Sequence, residues 1–340
     1  MESSIAAPVK RGSNSYLVTV NSARHYLRKR DFLTYASQLL PKPLGSETWS
    51  LAWGYIRRFD DILDSPSVNK TQAVHLLENE QSVVERGFEG ELRVNQKSAT
   101  RHLWLAQFFD NERRYYAGRA LPAVRDLYDS AWSDVRRRNE ILSQHEMDRL
   151  LYKKARSFFQ LYFILGRLDL GGYLDDFSYL LGMGLGMLDD MLDILIDQEA
   201  GYINITQEEM RALDIDLDST DKRFVKEAID RGYLTYKAKK ILQLLLRARR
   251  LTRRLRMPLL RKFILRLTEI FAAPIFEGRF IPGQTYFFRG GKLADLILPS
   301  NESIAYRIGH QALKAILAVP QVIPVFFKAY HNEWAQSAKR

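Results

Sequence analysis

The sequence predicts an all-α protein built as one domain. Apolar residues recur at helical spacing along most of the chain, and alternating strand-like runs are nearly absent. Proline ends the first two periodic stretches, at Pro41 and Pro43 and at Pro66. At 340 residues, 46% hydrophobic and 27% charged, the chain can bury a large core and has ordinary globular composition. No internal repeat or low-complexity linker divides it. The expected organisation is a flexible arm over residues 1–20, a helical domain over 21–300 and a helical tail over 301–340.

Residues 1–20 carry Ser, Gly, Asn and Pro without periodicity, hence the arm. A helix is expected from Ser22 to Leu40, ended by Pro41 and Pro43. The next, 46–64, starts at a Ser46 cap, carries Trp49, Trp53, Tyr55 and Phe59, and closes before Pro66. Amphipathic helices follow over 69–90 and 98–119, the second rich in aromatics. Helix 121–139 ends in Arg136-Arg137-Arg138, which suits the negative end of the helix dipole. Ser143 and Glu146 form a capping box for a helix to about Leu168. Gly171-Gly172 marks a turn into a helix that runs through Asp197. Gly182, Gly184 and Gly186 lie inside that helix with no preceding strand, which rules out a dinucleotide loop. They leave room for a neighbouring helix or for a ligand beside the backbone. An acidic connector reaches Asp221, and helices are expected at 221–256 and 258–277. Residues 278–300 are punctuated by Gly and Pro.

The totals narrow the function. No cysteine is present, which excludes disulfides, thiolate metal sites and Cys nucleophiles and fits a reducing, cytosolic compartment. The six histidines are scattered without metal-ligand spacing, so a zinc site is not expected. The opening residues lack the apolar segment of a secretory signal, and no apolar run is long enough to span a membrane. A net charge of +11 points to an anionic partner. Lys237 to Arg266 is densely basic between Leu and Ile residues, either a solvated face or a peripheral contact with anionic membrane. No nucleic-acid-binding motif is present, so nucleic acid is not expected.

The informative chemistry is in two acidic runs. Asp189, Asp193 and Asp197 recur every four residues, so on a helix they form one stripe that drifts about 40° per step. Asp190 lies at its edge. Like charges at this spacing repel, and the surrounding Met, Leu and Ile argue against a purely solvated face. The second run is Arg57-Arg58-Phe59-Asp60-Asp61-Ile62-Leu63-Asp64, with Asp60 and Asp64 on one face. Alone it would read as a surface ion pair at a helix end. Two acidic arrays ending apolar helices suit hard divalent cations held by oxygen.

Magnesium takes one or two carboxylates and leaves positions for water and phosphate, so two facing arrays would gather several ions around one diphosphate. The expected complement is about three Mg2+ ions, which Mn2+ can replace. The metal ligands would be Asp60, Asp64, Asp189, Asp193 and Asp197, with Asp61 among the catalytic carboxylates. Arg57, Arg58, Lys153, Lys154 and Arg156 are candidates for the diphosphate itself. Phe158 and Tyr162 share a helix face and, with Gly186, are candidates for lining a pocket whose ring faces would attract an allylic cation. Read as plain core packing, the two rings need no such pocket.

The stretch Tyr55 to Asp64, an Arg before DDxxD, resembles the first Asp-rich motif of the squalene/phytoene synthase family. Ala36 to Pro41 resembles that family's lead-in to a Leu-Pro turn. Asp189, Asp193, Asp197, Gly201 and Ile203 match the spacing of its second motif, NxxRDxxEDxxxGRIY, and Asp134 and Tyr152 fall where the family has a helix-borne Asp and Tyr. The resemblance implies a single-domain class I isoprenoid synthase bundle with a central cavity, magnesium, and catalysis begun by diphosphate loss. The chain departs from the pattern: Asp189 stands for the family's Asn, Leu192 for its Arg, Ile196 for its Glu and Tyr202 for the Arg after Gly. Ser157, Phe158 and Leu161 replace a small-residue stretch, and Phe32-Leu33 replaces Ser-Phe. Bulk at those positions narrows a cavity meant for two prenyl chains. The expectation is therefore a terpene synthase that cyclises one geranylgeranyl or farnesyl diphosphate. Head-to-head coupling of two prenyl diphosphates is the alternative, and a non-catalytic membrane-associated scaffold is the third.

Overall fold

The computed structural model describes residues 13–31, 43–65, 67–95, 98–215, 224–258, 260–265 and 267–268. The expected Leu-Pro turn at Pro41, Phe32-Leu33, Arg266, the 278–300 segment and the 301–340 tail lie outside them. All regular structure among the described residues is helical. In chain order the helices are α1 (Asn14–Arg30), α2 (Pro43–Leu63), α3 (Lys70–Glu89), α4 (Thr100–Tyr115), α5 (Leu121–Arg136) and α6 (Gln144–Leu151). A π-helical segment, Tyr152–Arg156, leads into α7 (Ser157–Leu165), then come α8 (Leu174–Leu192) and α9 (Ile194–Glu199). The short α10 (Gln207–Ala212) and α11 (Phe224–Asp230) precede α12 (Tyr233–Leu251).

Several boundaries differ from expectation, among them the end of α1, which stops at Arg30 with Asp31 as its C-cap where a helix to Leu40 is expected. Residues 14–20, expected within the arm, begin α1, because Ser13 caps it by accepting from the Tyr16 amide and Tyr16, Val20 and Ala23 are buried. The acidic connector contains α10, opened by a Thr206–Glu209 capping box. The expected 221–256 helix is split by Gly232, whose φ of 94° ends one helix and starts the next. The Ser143–Glu146 box forms as expected, but the helix it opens turns π-helical before continuing as α7.

The core is one continuous cluster with α2, α7 and α8 at its centre. α8 packs along α12 and across the π segment. Glycine makes the second contact possible: a Cβ on Gly182 would sit 2.6 Å from the Ala155 carbonyl carbon, and one on Gly186 would sit 2.7 Å from the Ala155 Cβ. Gly184, on another side of the helix, meets Leu245 of α12. The glycine pattern thus brings α8 close enough to the π segment for the two backbones to touch. No described helix is long and apolar enough to cross a membrane.

Glu80 ties three helices together. It accepts from Tyr55 of α2 at 3.0 Å and from Arg101 of α4 at 2.7 Å, and the His102 ring nitrogen lies at 2.9 Å. Burial pushes the carboxyl up, but the hydrogen bonds from His102 and Arg101 outweigh it and hold Glu80 below its ordinary range. Its stabilising contribution is therefore present above the ordinary glutamate value and lost as pH falls through the lowered folded value.

Glu80→Ala is expected to destabilise the fold by about 3 kcal/mol in urea unfolding. The stability gap between wild type and Glu80→Gln should shrink as pH is lowered from about 6 to about 3. Gly182→Ala drives a methyl group into backbone, and a loss of ~1–3 kcal/mol in the same assay is expected. An unchanged midpoint would mean that α8 does not rest on the π segment.

Candidate active site

The first array and Asp189, Asp190 and Asp193 of the second sit at helix C-terminal ends, where the macrodipole is negative and carboxylates are disfavoured, whereas Asp197 lies in the first turn of α9. At the end of α2, Arg57 donates to Asp60 at 2.8 Å and pairs with Asp61 at 3.2 Å. Asp61 also accepts from the Tyr26 hydroxyl of α1, and Arg58 lies over the Tyr26 ring, 5.4 Å from its centroid. Burial and then Asp61 push the Tyr26 phenol well above its ordinary range. Asp61 and Arg58 are thus turned toward α1. Asp60 and Asp64 stay more open, 35% and 48% exposed. Asp64 accepts from the Tyr202 hydroxyl at 3.0 Å, and burial and then Asp60 push it up to about 6.

The second array does not lie on one helix, as the sequence suggests. α8 ends at Leu192, Asp193 takes φ −94° and ψ 7°, and α9 starts at Ile194. A break in a row of like charges lets neighbouring carboxylates diverge, although the Asp193 amide still donates to Asp189 and the Asp197 amide to Asp193. Burial pushes Asp190 up to about 6, opposed by Lys154 and Arg137 and reinforced by Asp189. Asp197 is pushed up to about 8, first by burial and then by Asp190 and Asp193.

Asp134 of α5 connects the arrays. One of its oxygens accepts from Arg137 at 2.7 Å and the other from Lys154 of the π segment at 2.8 Å. Burial pushes the Asp134 carboxyl up, but Lys154 and Arg137 hold it below its ordinary range. Arg137 continues to the Ile203 carbonyl at 3.1 Å and the Asn204 side chain at 3.0 Å, and Asn204 donates to Asp197 at 2.6 Å. Arg138 reaches the other way: it donates to the Tyr202 hydroxyl at 2.8 Å and the carbonyls of Leu63 and Val68 at 2.7 and 3.0 Å. The Tyr202–Asn204 strip is aimed by Gly201, whose φ is 89° and whose carbonyl accepts from the Asn139 amide at 2.7 Å. A Cβ at Gly201 would meet the Asn139 side chain at 2.9 Å.

Arg137, Arg138, Tyr202 and Asn204 were not apparent from the sequence as parts of the site. The triple arginine suits a helix end, yet Arg137 and Arg138 are buried. The available signal was their position directly after the helix-borne Asp134.

The proposed diphosphate ligands go to different places. Lys154, half-exposed, pairs with Asp134, and Asp134 first, then Asp60 and Asp190, hold its ammonium well above the ordinary lysine range. Lys153 instead pairs with Asp129 at 2.9 Å, and Arg156 pairs with Asp175 at 2.7 Å and lies over the Tyr152 ring. Deeper along α2 and α7, Phe158 meets Trp49 and Trp53 edge-on with centroids 5.4 and 4.6 Å apart, and Tyr162 meets Trp49 at 5.1 Å. Gly186 backs onto Ala155 and Leu151. A separate cavity of ≈ 630 Å3 lies at the turns around Tyr116, Arg167 and Leu174. Leu174 is about 22 Å along the helix from Asp189.

Among the described residues, no three carboxylate or histidine side chains are gathered closely enough to hold a metal ion unaided. The donor set still fits magnesium, because each ion takes only one or two protein carboxylates and completes its shell with water and phosphate. Asp64, Asp190 and Asp197 are each raised in part by neighbouring carboxylates, so a cation between them would relieve a repulsion already present.

No protein-family model matches this sequence, and no curated protein matches it. Solved structures share the fold, among them the following two. Squalene synthase HpnC from Alicyclobacillus acidocaldarius superposes with a TM-score of 0.57 at 18% identity, covering 79% of this chain and 97% of its own. A dehydrosqualene synthase in complex with ligand gives 0.57 at 12% identity, covering 90% of this chain and 98% of its own. The chain therefore has the all-α, squalene/phytoene synthase-like fold.

Proposed function

We propose that this chain is a prenyl-diphosphate-ionising synthase that works in the cleft between Asp60/Asp64 and Asp189–Asp197. The observation that carries the reading is the carboxylate excess around Lys154. Asp64, Asp190 and Asp197 are raised to about 6, 6 and 8, and such a cluster of mutually repelling carboxylates serves no folding purpose. Asp60, Asp64, Asp189, Asp193 and Asp197 would hold magnesium, which when bound neutralises charge on the departing diphosphate. Lys154 would meet the same diphosphate, a role its half-exposed ammonium beside Asp134 supports. Arg57 keeps Asp60 and Asp61 in place from below. The half-buried rings of Trp53 and Phe158, packed on the buried Trp49, would present π faces to an allylic cation and supply no nucleophile.

For the fate of the cation, head-to-head coupling of two prenyl diphosphates is the first reading, since both fold neighbours are squalene-type synthases by name. Cyclisation of one prenyl diphosphate is the second, favoured by the Trp49–Trp53–Phe158–Tyr162 ring cluster, which occupies depth that two chains would need. The exposed basic face of α12, with Lys239, Arg247 and Arg250, would hold the protein against anionic lipid near apolar substrates.

Farnesyl or geranylgeranyl diphosphate with magnesium should release diphosphate, and Asp60→Ala or Asp193→Ala should each lower the rate at least ~100-fold. No release from a prenyl diphosphate of any chain length would falsify the reading. Mass spectrometry of the hydrocarbon separates the two fates: twice the substrate's carbon count means coupling, and an equal count means cyclisation.

A further inference from the structure

The strip between Gly201 and α10 is held from two sides. On the α5 side, Arg137 donates to the Ile203 carbonyl and to the Asn204 side-chain oxygen. On the other side stands α12, which packs along α8 and carries no residue of either array. The Tyr233 hydroxyl, in the first turn of α12, donates to the Asn204 carbonyl at 3.0 Å. One turn on, Lys237 donates to Glu209 at 2.8 Å. Asn204, Glu209, Tyr233 and Lys237 are all buried.

Positions 233 and 237 are four apart, so both side chains leave one face of the helix. That face grips the chain at Asn204 and again at Glu209. Glu209 serves two partners: one oxygen takes Lys237, and the other accepts from the Thr206 amide and closes the capping box of α10. A buried ion pair adds little net stability, but breaking it strands a charge in the core, so α12 cannot slide past α10 without a large cost. The Tyr233 hydroxyl is thereby delivered to one carbonyl. The Asn204 side chain is then constrained twice, by Tyr233 through its backbone and by Arg137 at its oxygen. Its nitrogen is left aimed at Asp197, to which it donates at 2.6 Å.

We propose that Tyr233 is a positioning residue for the second array. Through Asn204 it aims the Asp197 carboxylate, so α12 takes part in cation binding although it supplies no carboxylate. The inference rests on the reading of the arrays as a magnesium site and adds the element that sets the geometry of one ligand.

The test is Mn2+ binding to the full chain, followed by loss of the free-ion electron paramagnetic resonance signal, with melting temperature measured alongside. Tyr233→Phe removes only the hydroxyl and should weaken Mn2+ binding ~10-fold. Tyr116→Phe is the control, because its buried hydroxyl also donates to a carbonyl, that of Leu165 at 2.9 Å, at the far end of α7. Both variants should melt ~2 °C below wild type, and Tyr116→Phe should bind Mn2+ as wild type does. Asn204→Leu should weaken binding at least as much as Tyr233→Phe. Adding Tyr233→Phe to Asn204→Leu should weaken it no further, because the route runs through the Asn204 amide. Wild-type Mn2+ affinity in Tyr233→Phe overturns the proposal and leaves the cation site standing, as does a second full ~10-fold loss in the double variant. A wild-type chain that binds no Mn2+ overturns the cation site itself, and this inference with it.

Discussion

The two ion pairs of Asp134 are the constraint on which the rest of the site depends. A buried carboxylate is costly unless both oxygens are served, and here each oxygen has its own cation. Those cations belong to different parts of the chain: Arg137 to the end of α5, Lys154 to the π segment. Each then extends to another element, Arg137 to the strip that anchors Asp197 and Lys154 into the field of both arrays. Removing Asp134 would take from Arg137 and Lys154 the carboxylate they share and cut the direct link between α5 and the π segment. Asp134 thus links α5 to the π segment directly, and to Asp197 of α9 through Arg137 and Asn204.

The end of α2 shows the same economy of parts. Its last turn carries Asp60, Asp61 and Asp64 and so places negative side chains where backbone carbonyls already concentrate negative potential. Arg138 answers both problems by donating to the Leu63 carbonyl while holding, through Tyr202, the Asp64 carboxylate. The arrangement is stable without being neutral: Asp64, Asp190 and Asp197 stay raised even with Arg57, Arg137, Arg138 and Lys154 in place. A folding sequence under no other demand would lose one of these acids. The residual repulsion is therefore the strongest physical sign that cations arrive from outside.

Much of this was legible in the sequence because it rests on local rules. The 46–64 and 69–90 helices, the Ser143–Glu146 box and the glycine turn at 171–172 follow from periodicity, capping and backbone freedom, and the structure departs from them by only a few residues. The features that were not legible depend on tertiary contacts. A π turn has no periodicity of its own, and its place here reflects Lys153 and Lys154 reaching for α5. The break at Asp193 reflects repulsion balanced against burial of Met187 and Met191, which no local pattern encodes. Arg137 and Arg138 read as dipole partners because their burial becomes visible only when the 202–204 strip folds over them.

Tyr202 shows how a departure from a family pattern can leave the electrostatics in place. The resemblance would put an arginine there, following the glycine that turns the chain. This chain has a phenol instead, with Arg137 and Arg138 both 5.2 Å from its ring centroid. Ring faces attract guanidinium groups, so Tyr202 holds two positive charges beside the arrays without carrying one. Its hydroxyl accepts from Arg138 and donates to Asp64, which bridges the guanidinium to the first array by hydrogen bonds. The positive charge missing from position 202 is thus supplied from the end of α5. An arginine restored at 202 alone would meet Arg137 and Arg138 at close range and repel them, so the residue at 202 and the arginine pair depend on one another.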